Sequence, residues 1–240
     1  ESHQIKVADK FISWGWEELN TSKIKPVGNL KEFNAKVSYS SKGFALLVET
    51  ALPQYSYHLR AVPISSQMLY YFEEQYNFVN ALPLALQEQV LVRLPGKTSL
   101  GDFNWSGELR WQDRSPNVRI DSRKQTIKSL VKDVRIVIST VNSTTLLESL
   151  IWNVPTIIFW DVKYWELKES VQPYFDLLES VGIFHKTPES AASKMIEVWD
   201  DVSVWWEADI VQDARNEFCS QFSANPKQFL SKLATVLQDV

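Results

Sequence analysis

The stretch from Arg135 to Asp161 constrains the fold of this chain more than any other. It begins with a short run rich in β-branched residues, which predicts a strand. Residues 139–145 then place five hydroxyl side chains and one asparagine in seven positions, and residues 146–152 have helical character. A second apolar strand follows over residues 155–160. The stretch therefore predicts a strand, a hydroxyl-rich turn, a helix and a second strand in one compact unit.

The turn of this unit is a candidate phosphate-binding site. The first backbone amides of a helix have no intrahelical partner and lie at the positive end of its dipole, so they attract anions. The side chains that would assist them are Ser139, Thr140, Asn142, Ser143, Thr144 and Thr145. A purely structural alternative is also open, in which Thr145 caps the helix and Glu148 reaches back to the cap amide.

Composition excludes several other classes of protein. A net charge of −4 gives no general attraction to nucleic acid or anionic membranes. A single cysteine excludes an intramolecular disulfide and fits a reducing compartment, and together with only three histidines it leaves little material for a metal cluster. No apolar run approaches the roughly 18 residues needed to span a bilayer. We therefore expect a cytoplasmic globular protein without a metal or other cofactor.

Strands alternate with helical segments along most of the sequence. Apolar strands are predicted to end near Glu49, Arg93, Ser139 and Asp161, and Pro83 is predicted to divide one helical region into two. This alternation predicts an α/β fold with a doubly wound, mostly parallel, Rossmann-like sheet and helices on both faces. In such sheets ligands bind beyond the carboxyl ends of the strands, where the four named residues are expected.

The last third of the chain is predicted to be helical. Thr187 followed by Pro188 is typical of a helix start. A final helix is predicted to begin at Asn225-Pro226 and to bury the apolar residues of one face, which are Phe229, Leu230, Leu233, Val236 and Leu237.

Outside the turn, four residues are candidates for direct chemistry. Arg93 offers a fixed fork of donors for a phosphate or carboxylate, although a structural ion pair is the open alternative. His58 could act as an acid or base, and Arg60 beside it could hold an anionic sugar. Asp161 ends a strand where α/β enzymes often place a functional acid, but an aspartate there can also simply begin a turn.

Four segments in order carry a family resemblance. They are Phe11–Trp16, Gln54–Arg60, Ser139–Asp161 and Gly182–Ala192, the last followed by Trp205-Trp206. Together they resemble the carboxy-terminal half of a family of bacterial surface-carbohydrate transferases of the GT-B type, which is distantly similar to CMP-Kdo-dependent β-Kdo glycosyltransferases. The resemblance implies that the turn residues surround a phosphate, that Glu148 accepts hydrogen bonds from a ribose and that Arg93 neutralises charge. It also implies that His58 and Arg60 face an interdomain cleft.

The resemblance also implies a division of the chain into three parts. Residues 1–22 would link from an amino-terminal domain outside this sequence, 23–200 would form the Rossmann-like nucleotide-sugar-binding domain, and 201–240 would pack on it or cross back. The acceptor, a glycan or lipid-linked glycan, would bind the other domain, and contact with the inner membrane would run through partners.

The expected function is binding of a nucleotide-sugar donor, with a CMP-sugar favoured, by a glycosyltransferase of surface polysaccharide synthesis. Two rivals stay open. One is a transferase that uses CDP-glycerol or a related CDP-polyol donor. The other is a non-catalytic scaffold in a polysaccharide assembly complex.

Overall fold

The computed structural model describes residues 3–18, 21–29, 37–50, 54, 65–95, 105–224 and 227–238. Eight strands lie in this part of the chain: β1 (Phe11–Ser13), β2 (Ile24–Pro26), β3 (Phe44–Val48), β4 (Val90–Arg93), β5 (Arg119–Ile120), β6 (Val134–Ser139), β7 (Thr156–Phe159) and β8 (Phe184–His185). β3 to β8 form one sheet in the order β5-β4-β3-β6-β7-β8, and every neighbouring pair is parallel. The prediction of a doubly wound parallel sheet is confirmed.

Both faces of this sheet are covered, as the continuous apolar character of its central strands requires. Along β3, Ala45 and Leu47 belong to one hydrophobic cluster, and Leu46 and Val48 belong to another. Successive side chains of a strand point to opposite faces, so the two clusters are the two sides of the sheet. Each contains helical residues, which confirms the prediction of helices on both faces.

The described part of the chain contains eleven helices: α1 (His3–Val7), α2 (Met68–Asn80), α3 (Leu84–Gln87), α4 (Gly107–Arg114), α5 (Ile127–Leu130), α6 (Thr144–Ile151), α7 (Gln172–Ser180), α8 (Pro188–Val198), α9 (Val202–Trp206), α10 (Asp209–Phe222) and α11 (Phe229–Gln238). Pro83 lies between α2 and α3, as predicted. Thr187 caps α8 by accepting a hydrogen bond from the Ser190 amide at 3.2 Å, and Pro188 begins the helix, also as predicted. None of these helices, within the described ranges, is both long and apolar enough to cross a membrane.

β1 and β2 form a separate two-stranded parallel sheet that docks on the end of α10. The Ala224 amide donates to the Trp14 carbonyl and the Asn29 amide donates to the Ala224 carbonyl, each at 2.7 Å. The Asn29 side chain adds a buried hydrogen bond to Ser223. The three-part division of the chain stays a prediction, although β1 and β2 pair across its first boundary.

The final helix differs from its prediction. Residues 225–226 lie outside the described residues, and α11 packs through Phe229, which is 2% exposed. Leu230 and Leu237 are each 60% exposed, whereas the sequence predicted them to be buried. An amphipathic pattern shows which face a helix can bury but not how much of it meets a partner. The predicted burial is therefore confirmed for Phe229 and wrong for Leu230 and Leu237.

Candidate functional site

The strand order reverses between β3 and β6. From β3 the chain proceeds outward to β4 and β5, then returns to the other side of β3 to build β6, β7 and β8. The loops that leave β3 and β6 consequently turn to opposite sides of the sheet. A crevice is left between them, at the carboxyl ends of the two strands. Val48 pairs with Ser139 at this point, so the ends of both strands meet there.

The hydroxyl-rich turn lies at this crevice and leads into α6. Ser143 is the N-cap, with extended backbone angles of φ −133° and ψ 174°, and its side chain makes no capping hydrogen bond. Asn142 and Thr144 are exposed, whereas Ser143 and Thr145 are half-buried. The alternative in which Thr145 is the helix cap is wrong, because α6 begins at Thr144 and this places Thr145 inside the first turn. The helix amides are thus left without a cap from the Ser143 hydroxyl.

The first two hydroxyls of the turn are buried, and that of Thr140 forms hydrogen bonds across the crevice. Ser139 and Thr140 are each 1% exposed. Thr140 donates its hydroxyl proton to the Val48 carbonyl at 2.9 Å, so it accepts the proton of Tyr71, whose oxygen lies 2.7 Å away. The Tyr71 oxygen in turn accepts the Thr50 amide at 2.8 Å. This chain of hydrogen bonds joins α2 to the ends of β3 and β6.

The other predicted ligand residues occupy varied environments. Ser139 donates to the Val141 carbonyl at 3.2 Å, and Glu148 is buried in the second turn of α6 with 6% exposure. Asp161 accepts a hydrogen bond from the Lys163 amide at 2.8 Å, which is the turn-forming alternative. His58 and Arg60 lie outside the described residues. Contact of any of these residues with a ligand stays a prediction.

Arg93 lies at the end of β4 in a buried ion pair with Asp121. The side chains of the two residues are 10% and 9% exposed, respectively, and Arg93 also donates to the Gln125 carbonyl at 3.0 Å. This is the structural ion pair that the sequence left open as an alternative. The role of Arg93 as a phosphate clamp stays a prediction.

A cavity of about 570 Å³ opens beside the crevice, beyond the carboxyl ends of β3, β4 and β5. Its walls include Glu49 and Thr50 after β3, Asp121 and Arg123 after β5, the first residues of α4, and the aromatic rings of Phe72 and Trp105. The sequence did not mark this cavity, because its lining residues are spread from 49 to 123. The only available signal was Glu49, a carboxylate directly after an apolar strand.

Glu49 is the most perturbed acid of the cavity. It is 8% exposed, and one carboxyl oxygen accepts a hydrogen bond from the Trp111 indole nitrogen at 2.6 Å. Burial raises the pKa of this carboxyl from its ordinary 4.5 to about 8, and the hydrogen bond from Trp111 only partly opposes the change. Glu49 is therefore predominantly protonated at neutral pH.

The described residues contain no group of three or more histidine, cysteine, aspartate or glutamate side chains that could hold a metal ion. The recognisable features of the site are thus an uncapped helix start, a hydroxyl-rich turn and an adjacent cavity with a protonated acid. These features suit an anionic ligand that also carries an uncharged part.

Comparison with known proteins decides the family. The model of the LIC12162 family of transferases matches residues 1–237, which is nearly the whole chain. The chain belongs to the LIC12162 transferase family. No curated protein matches it.

A solved structure of the wall teichoic acid polymerase TagF, soaked with CDPG, is similar to this LIC12162 family member. The two chains share 13% sequence identity with a TM-score of 0.44. The match covers 98% of this chain and 57% of the TagF chain, so the LIC12162 family member spans little more than half the length of that protein.

Proposed function

We propose that this chain is the nucleotide-sugar-binding domain of a glycosyltransferase in bacterial surface polysaccharide synthesis, with a CMP-sugar as the favoured donor. One observation carries the proposal. The start of α6 lies at the point where the strand order reverses, and Ser143 leaves its amides without a side-chain cap. Membership of a transferase family supports the choice of a donor substrate over an ordinary anion.

The proposed chemistry is stabilisation of the leaving group. When the bond between the anomeric carbon and the donor phosphate breaks, the bonding electrons remain on the phosphate oxygen, while an acceptor hydroxyl forms the new glycosidic bond. Amides of the first turn of α6 and the nearby hydroxyls would bind this negative charge more strongly as it develops. The acceptor would bind the other domain that the resemblance implies, and His58 and Asp161 stay the candidate acid–base residues of this chain.

Titration of the chain with CMP, UDP and GDP tests the proposal. We expect CMP to bind measurably by isothermal titration calorimetry and to bind more tightly than the other two. Thermal unfolding of the same sample shows that the protein is folded. A folded chain that binds none of the three nucleotides would contradict the donor site and favour the scaffold alternative.

Replacement of Thr144 by proline removes one amide from the site without removing the helix. Thr144 is the first residue of α6, where proline is well tolerated, and Ser143 already has the extended conformation that a following proline requires. We expect Thr144→Pro to weaken CMP binding about tenfold, roughly the worth of one charge-assisted hydrogen bond. The melting temperature should change little.

Thr144→Ala is the matched control, because it removes the hydroxyl and keeps the amide. We expect it to weaken CMP binding less than Thr144→Pro does. Equal losses in the two variants would place the interaction on the hydroxyl and remove the helix amides from the site.

A CDP-polyol donor is the second candidate, since the start of α6 would serve a diphosphate equally well. Product analysis separates the two candidates. A glycosyltransferase releases CMP and adds a sugar to the acceptor glycan, whereas a polyol-phosphate transferase also releases CMP but adds a phosphodiester-linked polyol, which is detected as phosphorus in the product.

A further inference from the structure

Glu49 has an unusual setting for a carboxyl group. Its side chain forms part of the cavity wall, and Trp111, its hydrogen-bond partner, is 1% exposed on α4. Trp111 is fixed in turn by an edge-on contact with the Tyr76 ring at 4.8 Å. The acid is therefore held in one place by rigid aromatic side chains, which is typical of a residue that positions a ligand.

The charged groups around the cavity leave Glu49 without a counterion among the described residues. Arg93 is paired with Asp121, and Arg123 donates to the Leu94 carbonyl at 2.9 Å. On α4, Arg110 donates to the Trp105 carbonyl at 2.7 Å. Arg114 lies over the Tyr76 ring and is paired with Glu73. The other groups that face Glu49 are the hydroxyls of Tyr71 and Tyr76, which burial keeps protonated by raising the pKa of each.

A protonated carboxyl offers one donor and one acceptor side by side. Cytosine presents the complementary pair, an acceptor at ring N3 and a donor at the exocyclic N4 amino group. The two can form a cyclic pair of hydrogen bonds. Phe72 and Trp105 belong to the wall of the same cavity, and the Arg110 guanidinium lies over both rings, at 5.6 and 5.8 Å from their centroids. An ionised carboxylate has no donor and would oppose the N3 lone pair.

We propose that the Glu49 carboxyl binds the base of a cytidine nucleotide in the cavity beyond β3, β4 and β5. The inference rests on the proposed function, because it requires the phosphate of the same nucleotide to lie at the start of α6. Glu49 follows β3 and the turn before α6 follows β6, the neighbouring strand. Neighbouring strands are about 4.8 Å apart, so the base and the phosphate would bind after adjacent strands. Glu49 is then a specificity-determining residue.

The test measures CMP affinity at pH 7 and pH 9 for the 240-residue chain and three variants. With the pKa of Glu49 near 8, its protonated fraction falls about tenfold over this interval, and wild-type affinity should fall about tenfold with it. The second ionisation of a phosphate monoester, near pH 6, is essentially complete at both values and contributes little. Isothermal titration calorimetry provides the dissociation constants, and circular dichroism of each sample at pH 9 shows that the chain is still folded.

Glu49→Gln is the decisive variant. An amide carries a permanent donor and acceptor, so this variant should bind CMP at pH 7 and lose almost none of its affinity at pH 9. Glu49→Leu should bind at least tenfold more weakly than wild type at pH 7. Glu108→Gln removes an exposed carboxylate from the same cavity and should keep the wild-type pH dependence.

The outcomes separate this inference from the proposed function. If wild type and Glu49→Leu bind CMP equally at pH 7, or if wild-type affinity is unchanged at pH 9, Glu49 does not bind the base, although the donor site at α6 stands. If a folded wild-type chain binds no CMP at either pH, both proposals are overturned.

Discussion

Glu49→Gln should stabilise the folded chain by about 5 kcal/mol at pH 9 and leave its stability below pH 4 nearly unchanged. The carboxyl has a pKa of about 8 in the folded state against an ordinary value of 4.5. Each pH unit between these values is worth about 1.4 kcal/mol. Urea unfolding of wild type and variant across pH 4 to 9 measures the difference.

The direction of this effect follows from proton binding. Below pH 4 the Glu49 carboxyl is protonated in both the folded and the unfolded chain, so the buried side chain is uncharged and the folded state has its full stability. As the pH rises above 4.5, the unfolded chain loses this proton and the folded chain keeps it, so the free energy of unfolding falls. The loss is complete once the pH has passed the folded pKa near 8. Glutamine has no proton to lose, and its carbonyl can still accept the Trp111 hydrogen bond.

Glu217→Gln is the control, because Glu217 is an exposed carboxylate on α10. This variant should follow the wild-type curve at all pH values. If the free energy of unfolding of Glu49→Gln also follows that of wild type across the pH range, Glu49 is ionised in the folded protein. Burial would then not raise its pKa.

The sequence predicted the sheet because its strongest signals are local. β3, β6 and β7 are apolar runs, and a polar residue marks the carboxyl end of each: Glu49, Ser139 and Asp161. The same patterns located the turn before α6, since hydroxyl side chains are concentrated there. Alternation of strands and helices then restricted the topology, because parallel strands joined by helices have few possible arrangements.

Other features depend on contacts that no local pattern encodes. The bond between Glu49 and Trp111 joins residues 62 positions apart, so the sequence predicted neither the cavity nor the perturbed acid. The sequence could not show that Arg93 forms an ion pair, because its partner Asp121 is 28 positions away. The error for α11 has a different cause. Its apolar stripe is a strong local signal and predicts a buried face, but the described part of the chain does not cover that face.

Asp121→Ala should destabilise the chain by about 3 to 5 kcal/mol, because it leaves the Arg93 guanidinium buried without its counterion. Asp121 also accepts a hydrogen bond from the Arg123 amide at 2.9 Å, so the turn after β5 loses a second contact. The midpoint and slope of urea unfolding at pH 7 give the free energy of unfolding.

Two controls test whether the buried charge of Arg93 causes the loss of stability in Asp121→Ala. Glu73→Ala breaks the ion pair with Arg114, whose two side chains are 46% and 45% exposed, and should cost less than about 1 kcal/mol. Replacing both Arg93 and Asp121 by leucine should cost less than Asp121→Ala alone, because no charge is then left buried. A loss in Asp121→Ala no larger than that in Glu73→Ala would show that Arg93 reaches water or another partner once Asp121 is removed. In that case Arg93 would be mobile enough to turn toward a phosphate, as its predicted role as a clamp requires.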